Sequence, residues 1–190
     1  SVFSGLNNLN DISFNERFAT LCGITLQEML DTFAEPIELM AKKYKCDKDA
    51  MIARLTVMYD GYRFTEADDK VFNPFSLLNA FYNNKMGEYW FSTGTPKYLV
   101  ELLRRHNYDI SNIEGVTADV ERLSNMDTEG YDPIPVIYQS GYLTIKSYDE
   151  EYDAFTLGYP NEEVRIGLMK YLLPVYVDNY TAIDRFDYRI

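Results

Sequence analysis

Apolar residues fall three and four positions apart from residue 26 onward, with Leu26, Met29, Leu30 and Phe33 on one helical face. Thr25-Leu26-Gln27-Glu28 stands just ahead of that stripe and reads as a capping box: the Thr hydroxyl accepts a freed backbone N–H and Glu28 reaches back. Pro36 suits only a first turn, so the pattern predicts a break near Glu35 and a second helix through Tyr44. Asp47 is the next N-cap, and Met51, Ile52, Leu55 and Met58 form the stripe of a third helix.

The period then changes. Tyr59-Asp60-Gly61-Tyr62-Arg63-Phe64 alternates about an Asp-Gly turn, with Val71-Phe72 as its expected partner strand. Asn73-Pro74 and Thr95-Pro96 each set an N-cap residue before a Pro at the first helical position. The helices they open carry Phe75, Leu77, Leu78 and Phe81, and then Tyr98, Leu99, Leu102 and Leu103. Between them lies the aromatic stretch Tyr89-Trp90-Phe91. Residues 106–132 show no clear period, being interrupted by Gly115 and Gly130, and Pro133 to Gln139 reads as a short helix closed by Gly141.

The clearest β signal follows. Tyr142–Lys146 and Phe155–Tyr159 flank the polar tip Asp149-Glu150-Glu151, a hairpin. Asn161 caps a last helix, with Glu162 and Glu163 in its first turn, where negative charge complements the dipole. The expected fold class is therefore α+β and mostly helical: a helical bundle, then a winged-helix-like region with one β-hairpin. There is no internal repeat or low-complexity tract, and the weakest joint is the polar loop 65–70.

Composition narrows the function. The 190 residues are 46% hydrophobic and 25% charged, values of a chain that folds, and 17 Tyr point to half-wet packing surfaces. A net charge of −12 argues against a nucleic-acid surface, since phosphates are met by clustered Lys and Arg. The basic clusters Lys42-Lys43-Lys45 and Arg104-Arg105 are better explained as helix C-terminal cations. A nucleic-acid-binding wing would need a basic strip near Lys146 and Arg165, where the sequence supplies acidic residues. Cys22 and Cys46 form no CxxC pair, and His106 is the sole histidine, so neither a disulfide framework nor a zinc site is expected. No apolar run reaches membrane-spanning length and no signal pattern opens the chain, so the expected compartment is the cytoplasm.

Catalytic signatures are absent from the sequence. It has no GxxxxGK[ST] phosphate loop, no GxGxxG and no GxSxG elbow, so no catalytic residue and no metal ligand is assigned. The acidic run Asp149-Glu150-Glu151 reads as a solvated hairpin tip, and the pair Glu162-Glu163 as complementing a helix dipole. Ser1-Val2-Phe3-Ser4-Gly5 reads as a strand end entering a turn, and both ends of the chain read as those of a segment of a larger protein.

Five segments are distinctive in combination: residues 1–11; Tyr59–Phe64; Phe72-Asn73-Pro74-Phe75-Ser76-Leu77-Leu78-Asn79; Tyr89–Pro96; and Tyr138–Ile145 with Leu157–Arg165. In this order and spacing the chain resembles the AAA-ATPase-like proteins of Bacteroidetes, in which a P-loop ATPase module precedes a PD-(D/E)XK nuclease-like domain. The resemblance covers nearly the whole chain. It implies that residues 1–70 are the end of the ATPase core and a helical lid, and 71–190 a winged-helix-like region. It further implies that ATP and magnesium belong to the larger protein, whose phosphate loop and metal-binding strand precede this chain. Ser4, Asn7 and Asn8 would then sense the γ-phosphate, with Tyr62 and Arg63 facing base or phosphate. The residues themselves favour a plainer reading, in which Asp60, Gly61 and Phe64 fix a turn and Tyr62 packs. The implied partners are the ATPase core and the nuclease-like domain. A protein-interaction module using an aromatic surface is the alternative, and apolar surface near residues 1–24 would allow a homodimer.

Overall fold

A computed structural model describes residues 11–92, 99, 101–103, 108, 113–125 and 132–170. Among the described residues it is α+β, about half helical, with a small three-stranded antiparallel sheet. After a 3-10 turn at Glu16–Phe18 come α1 (Leu26–Thr32), α2 (Ala34–Tyr44), α3 (Lys48–Tyr59), α4 (Pro74–Tyr82) and the short α5 (Tyr89–Ser92). Residues 99 and 101–103 are helical. Then follow β1 (Thr117–Ala118), α6 (Val120–Ser124), α7 (Ile134–Gln139), the hairpin β2 (Thr144–Asp149) and β3 (Ala154–Gly158), and α8 (residues 162–170).

Local chemistry sets most boundaries. The capping box closes in both directions, with Glu28 N donating to Thr25 Oγ1 at 3.2 Å and Thr25 N to Glu28 Oε2 at 2.8 Å. Asp47 caps α3 through Ala50 N at 2.7 Å, and Asn73 caps α4 through Ser76 N at 3.3 Å. Asn161 caps α8 through Val164 N at 3.1 Å. The break between α1 and α2 falls at Phe33, slightly earlier than expected, because Pro36 is tolerated anywhere in the first turn, where the lost N–H has no partner to miss. The Thr95-Pro96 cap lies outside the described residues.

Two hydrophobic cores result. Met29, Ile37, Met40, Met51, Leu55, Tyr59, Phe72 and Leu77 pack α1–α4 together. The second core gathers Tyr62, Val71, Leu103, Ile113, Leu123, Ile137, Leu143, Phe155, Leu157 and Val164 around the sheet. The first thus draws on residues from both sides of position 70, since α4 completes the helical bundle. In the sheet β3 is central, antiparallel to β2 and to β1, and a bulge lies between Ile145 and Ser147. The chain passes between the cores at residues 60–72. Tyr59 ends α3 instead of opening a strand; Tyr62 pairs with Val71 in a single antiparallel bridge, and Phe72 pairs with Ile24.

Candidate functional site

The Tyr59–Phe64 motif is a strap that ties one core to the other. Asp60 ends α3, and Gly61 takes φ +105, a left-handed conformation that suits glycine. A Cβ at Gly61 would stand 2.2 Å from the Pro160 carbonyl oxygen, so the strap lies directly on the loop before α8. Tyr62 is buried and donates its hydroxyl to the Gly141 carbonyl at 3.1 Å, beyond the end of α7. Burial pushes its ionisation, and that of Tyr59, well above the ordinary phenol range. Arg63 sits against β2: its backbone N–H donates to Thr144 Oγ1 at 2.7 Å, and that hydroxyl returns a bond to the Arg63 carbonyl at 2.8 Å.

Arg63 is only 6% exposed. Its guanidinium donates to the carbonyls of Thr65 (3.1 Å), Lys146 (3.2 Å) and Glu66, and reaches Asp68 Oδ1 at 3.4 Å. It staples the 65–68 loop onto β2, and a phosphate would reach it only after those bonds broke. Ser4, Asn7 and Asn8 lie outside the described residues.

Tyr62 and Phe64 also line a cavity of about 610 Å³ shared with Phe14, Leu123, Tyr138 and Leu143. Their rings are near-parallel at 6.3 Å, as are those of Phe14 and Tyr138 at 6.4 Å. Trp90 lies beside Gly141, tilted against Tyr142 at 5.0 Å.

Glu163 is the residue whose role sequence reasoning misjudged. Read only as a partner of the helix dipole, it is 0% exposed, and Oε1 accepts from Trp90 N at 2.8 Å. A carboxylate from α8 therefore caps the start of α5, across the junction of the two cores. Burial raises its pKa, opposed by the Ser76 hydroxyl and the N–H groups of Trp90 and Tyr89. Oε2 closes no hydrogen bond of good geometry. The available signal was spacing: with Asn161 as N-cap, Val164 and Leu168 face inward and Glu163 lies beside that stripe.

The residues that would make a basic wing are engaged elsewhere. Lys146 Nζ donates to the Tyr159 carbonyl at 2.7 Å, and Arg165 pairs with Glu162 at 2.6 Å. Among the described residues no group of three His, Cys, Asp or Glu is placed to hold a metal ion. Arg63, the cation the resemblance pointed to, is committed to backbone carbonyls. No described helix is long and apolar enough to cross a membrane.

Comparison with known proteins gives one informative relative. The chain is 35% identical over 187 residues, 97% of its length, to a protein of Azotobacter chroococcum mcd 1 described as an "uncharacterized protein in vnfD 5′ region". It spans about a third of that relative's length, 34%. No protein-family model matches the chain. No solved structure matches it.

Proposed function

We propose that this chain is the lid and interdomain region of a cytoplasmic P-loop ATPase linked to a nuclease-like domain, regulatory and nucleotide-responsive without being catalytic itself. The observation that carries the reading is the strap. Residues 60–64 are held at one end by α3 and at the other by Thr144, Gly141 and the Pro160 loop, so displacement of the helical bundle is passed to the sheet. In this reading nucleotide bound to the preceding core draws the bundle inward, and the strap conveys that closure toward the following domain, biasing a two-state arrangement. The second half supports a winged-helix-like assignment: a helix, β1, α6, α7 and the β2–β3 hairpin, with β1 paired to β3, is the element order of that fold. The relative's threefold greater length leaves room for an ATPase core and a further domain. ATP and magnesium would be held by that core.

Calorimetry tests this. Mg-ATP should bind the chain carrying its native N-terminal continuation and leave the 190-residue chain unaffected, and strap variants should alter the affinity of the longer chain.

A second reading, a module that binds a partner chain, has one specific observation in its favour. Phe75, Leu78 and Tyr82 form an exposed apolar stripe on α4, with Tyr82 89% exposed. If that stripe drives association, Leu78→Glu with Tyr82→Glu abolishes it in sedimentation runs; a wild-type chain that stays monomeric at high concentration counts against self-pairing.

A further inference from the structure

We propose that the cavity beside the strap is a binding site for an uncharged planar heteroaromatic molecule of two or three fused rings, carrying no phosphate. The inference is independent of the lid reading.

Shape and lining select the ligand. A volume of about 610 Å³ falls within the ~300–1,000 Å³ of small-molecule pockets. Near-parallel aromatic pairs, Tyr62 with Phe64 (19°) and Phe14 with Tyr138 (8°), line the cavity, and an aromatic lining favours another flat ring by offset stacking. Leu123 and Leu143 complete a buried apolar floor. Polar groups sit at the rim: Ser124 offers its hydroxyl, and Gln139, whose amide nitrogen donates to the Leu123 carbonyl at 2.8 Å, offers its amide oxygen. The Tyr138 hydroxyl, half-buried in the wall, has no hydrogen-bond partner among the described residues, and burial lifts its pKa to about 12, keeping it a donor. A ligand acceptor would give it a partner.

Charge excludes phosphate. Among the described lining residues there is no Lys, Arg or His, and the one ionised group is Asp11, whose pKa is held down by the hydrogen bonds from Ser13. Residues 1–10 and 126–131, which adjoin lining segments in sequence, contain no basic residue either. A triphosphate brought here would meet a carboxylate and no counter-charge.

Cys22 stands exposed at the rim and reports on occupancy; Cys46, half-buried in the other core, is an internal reference. The test is maleimide labelling of the 190-residue chain, scored by peptide mass spectrometry, with adenosine, lumichrome or ATP present. The expected result is that adenosine and lumichrome slow Cys22 labelling relative to Cys46, with ATP protecting roughly tenfold less well, the factor for about 1.4 kcal/mol. Phe64→Ala should weaken protection by up to roughly tenfold, the loss of one stacked pair. Ser124→Trp, at an exposed rim position, should abolish it without disturbing the core. Protection by ATP equal to that by adenosine, no protection by any probe, or protection unchanged in Ser124→Trp would each overturn the proposal. Failure here with Mg-ATP binding intact in the longer chain would leave the lid reading standing.

Discussion

Replacing Glu163 separates its charge from its hydrogen bond. Glu163→Ala removes the carboxylate that accepts from the part-buried Trp90 N–H, at about 1–3 kcal/mol. It also removes one methylene group from a fully buried site, at about 0.8 kcal/mol. The sum is roughly 2–4 kcal/mol, or roughly 4–16 °C in Tm for a chain of this size. Glu163→Gln keeps an acceptor for Trp90, turns an amide donor toward the Ser76 hydroxyl and removes the buried charge.

The pH dependence follows from the direction of the shift. The folded pKa of Glu163 is raised by burial, so below the unfolded carboxylate pKa both states carry the proton and no stability is lost. As pH rises past that value toward the folded pKa, the unfolded state ionises first and stability falls. Glu163→Gln lacks this penalty, and its stability relative to wild type should increase from pH 4.5 to pH 7.5. The assay is urea unfolding followed by the emission of Trp90, the only tryptophan. A Gln variant as unstable as the Ala variant at pH 7.5, or a difference that does not move with pH, would refute the reasoning and show a net-stabilising carboxylate.

Further outcomes follow from other contacts. Gly61→Ala should destabilise by several kcal/mol, since its Cβ meets a backbone carbonyl in a left-handed conformation; an unchanged Tm would mean the strap does not lie on the Pro160 loop. Thr25→Ala should cost about 1 kcal/mol in urea unfolding, the worth of an N-cap, and Thr25→Ser should restore most of it. Arg63→Met should lower stability by about 3 kcal/mol by orphaning buried carbonyls, and hydrogen exchange should rise first in the 65–68 loop; exchange unchanged there would dismiss the staple.

What the sequence made legible was local. Thr25, Asp47, Asn73 and Asn161 announce helix starts because a cap is made within a few residues of itself. The hairpin was readable because β2 and β3 are long enough to alternate. β1 was not, since two residues carry no period and Thr117–Ala118 exists only through pairing with Thr156 and Phe155. Tyr59 was assigned to a strand because the Asp-Gly pair looks like a hairpin turn; here the glycine serves the close approach to Pro160. Glu163 and Arg63 defeat sequence reasoning for a shared reason. Each charge is buried by partners 73 and 83 positions away, Trp90 and Lys146. A residue's own neighbourhood in sequence says nothing of such distances. Of the residues the resemblance pointed to, Tyr62 lines the cavity and Arg63 faces β2.

The most direct test of the central claim is calorimetric titration of Mg-ATP into the 190-residue chain and into the chain with its native N-terminal continuation. The account predicts binding only in the longer chain, weakened by Gly61→Ala in the strap. Micromolar binding of Mg-ATP by the 190-residue chain alone would contradict it, because a phosphate site would then lie within this chain and not in the preceding core.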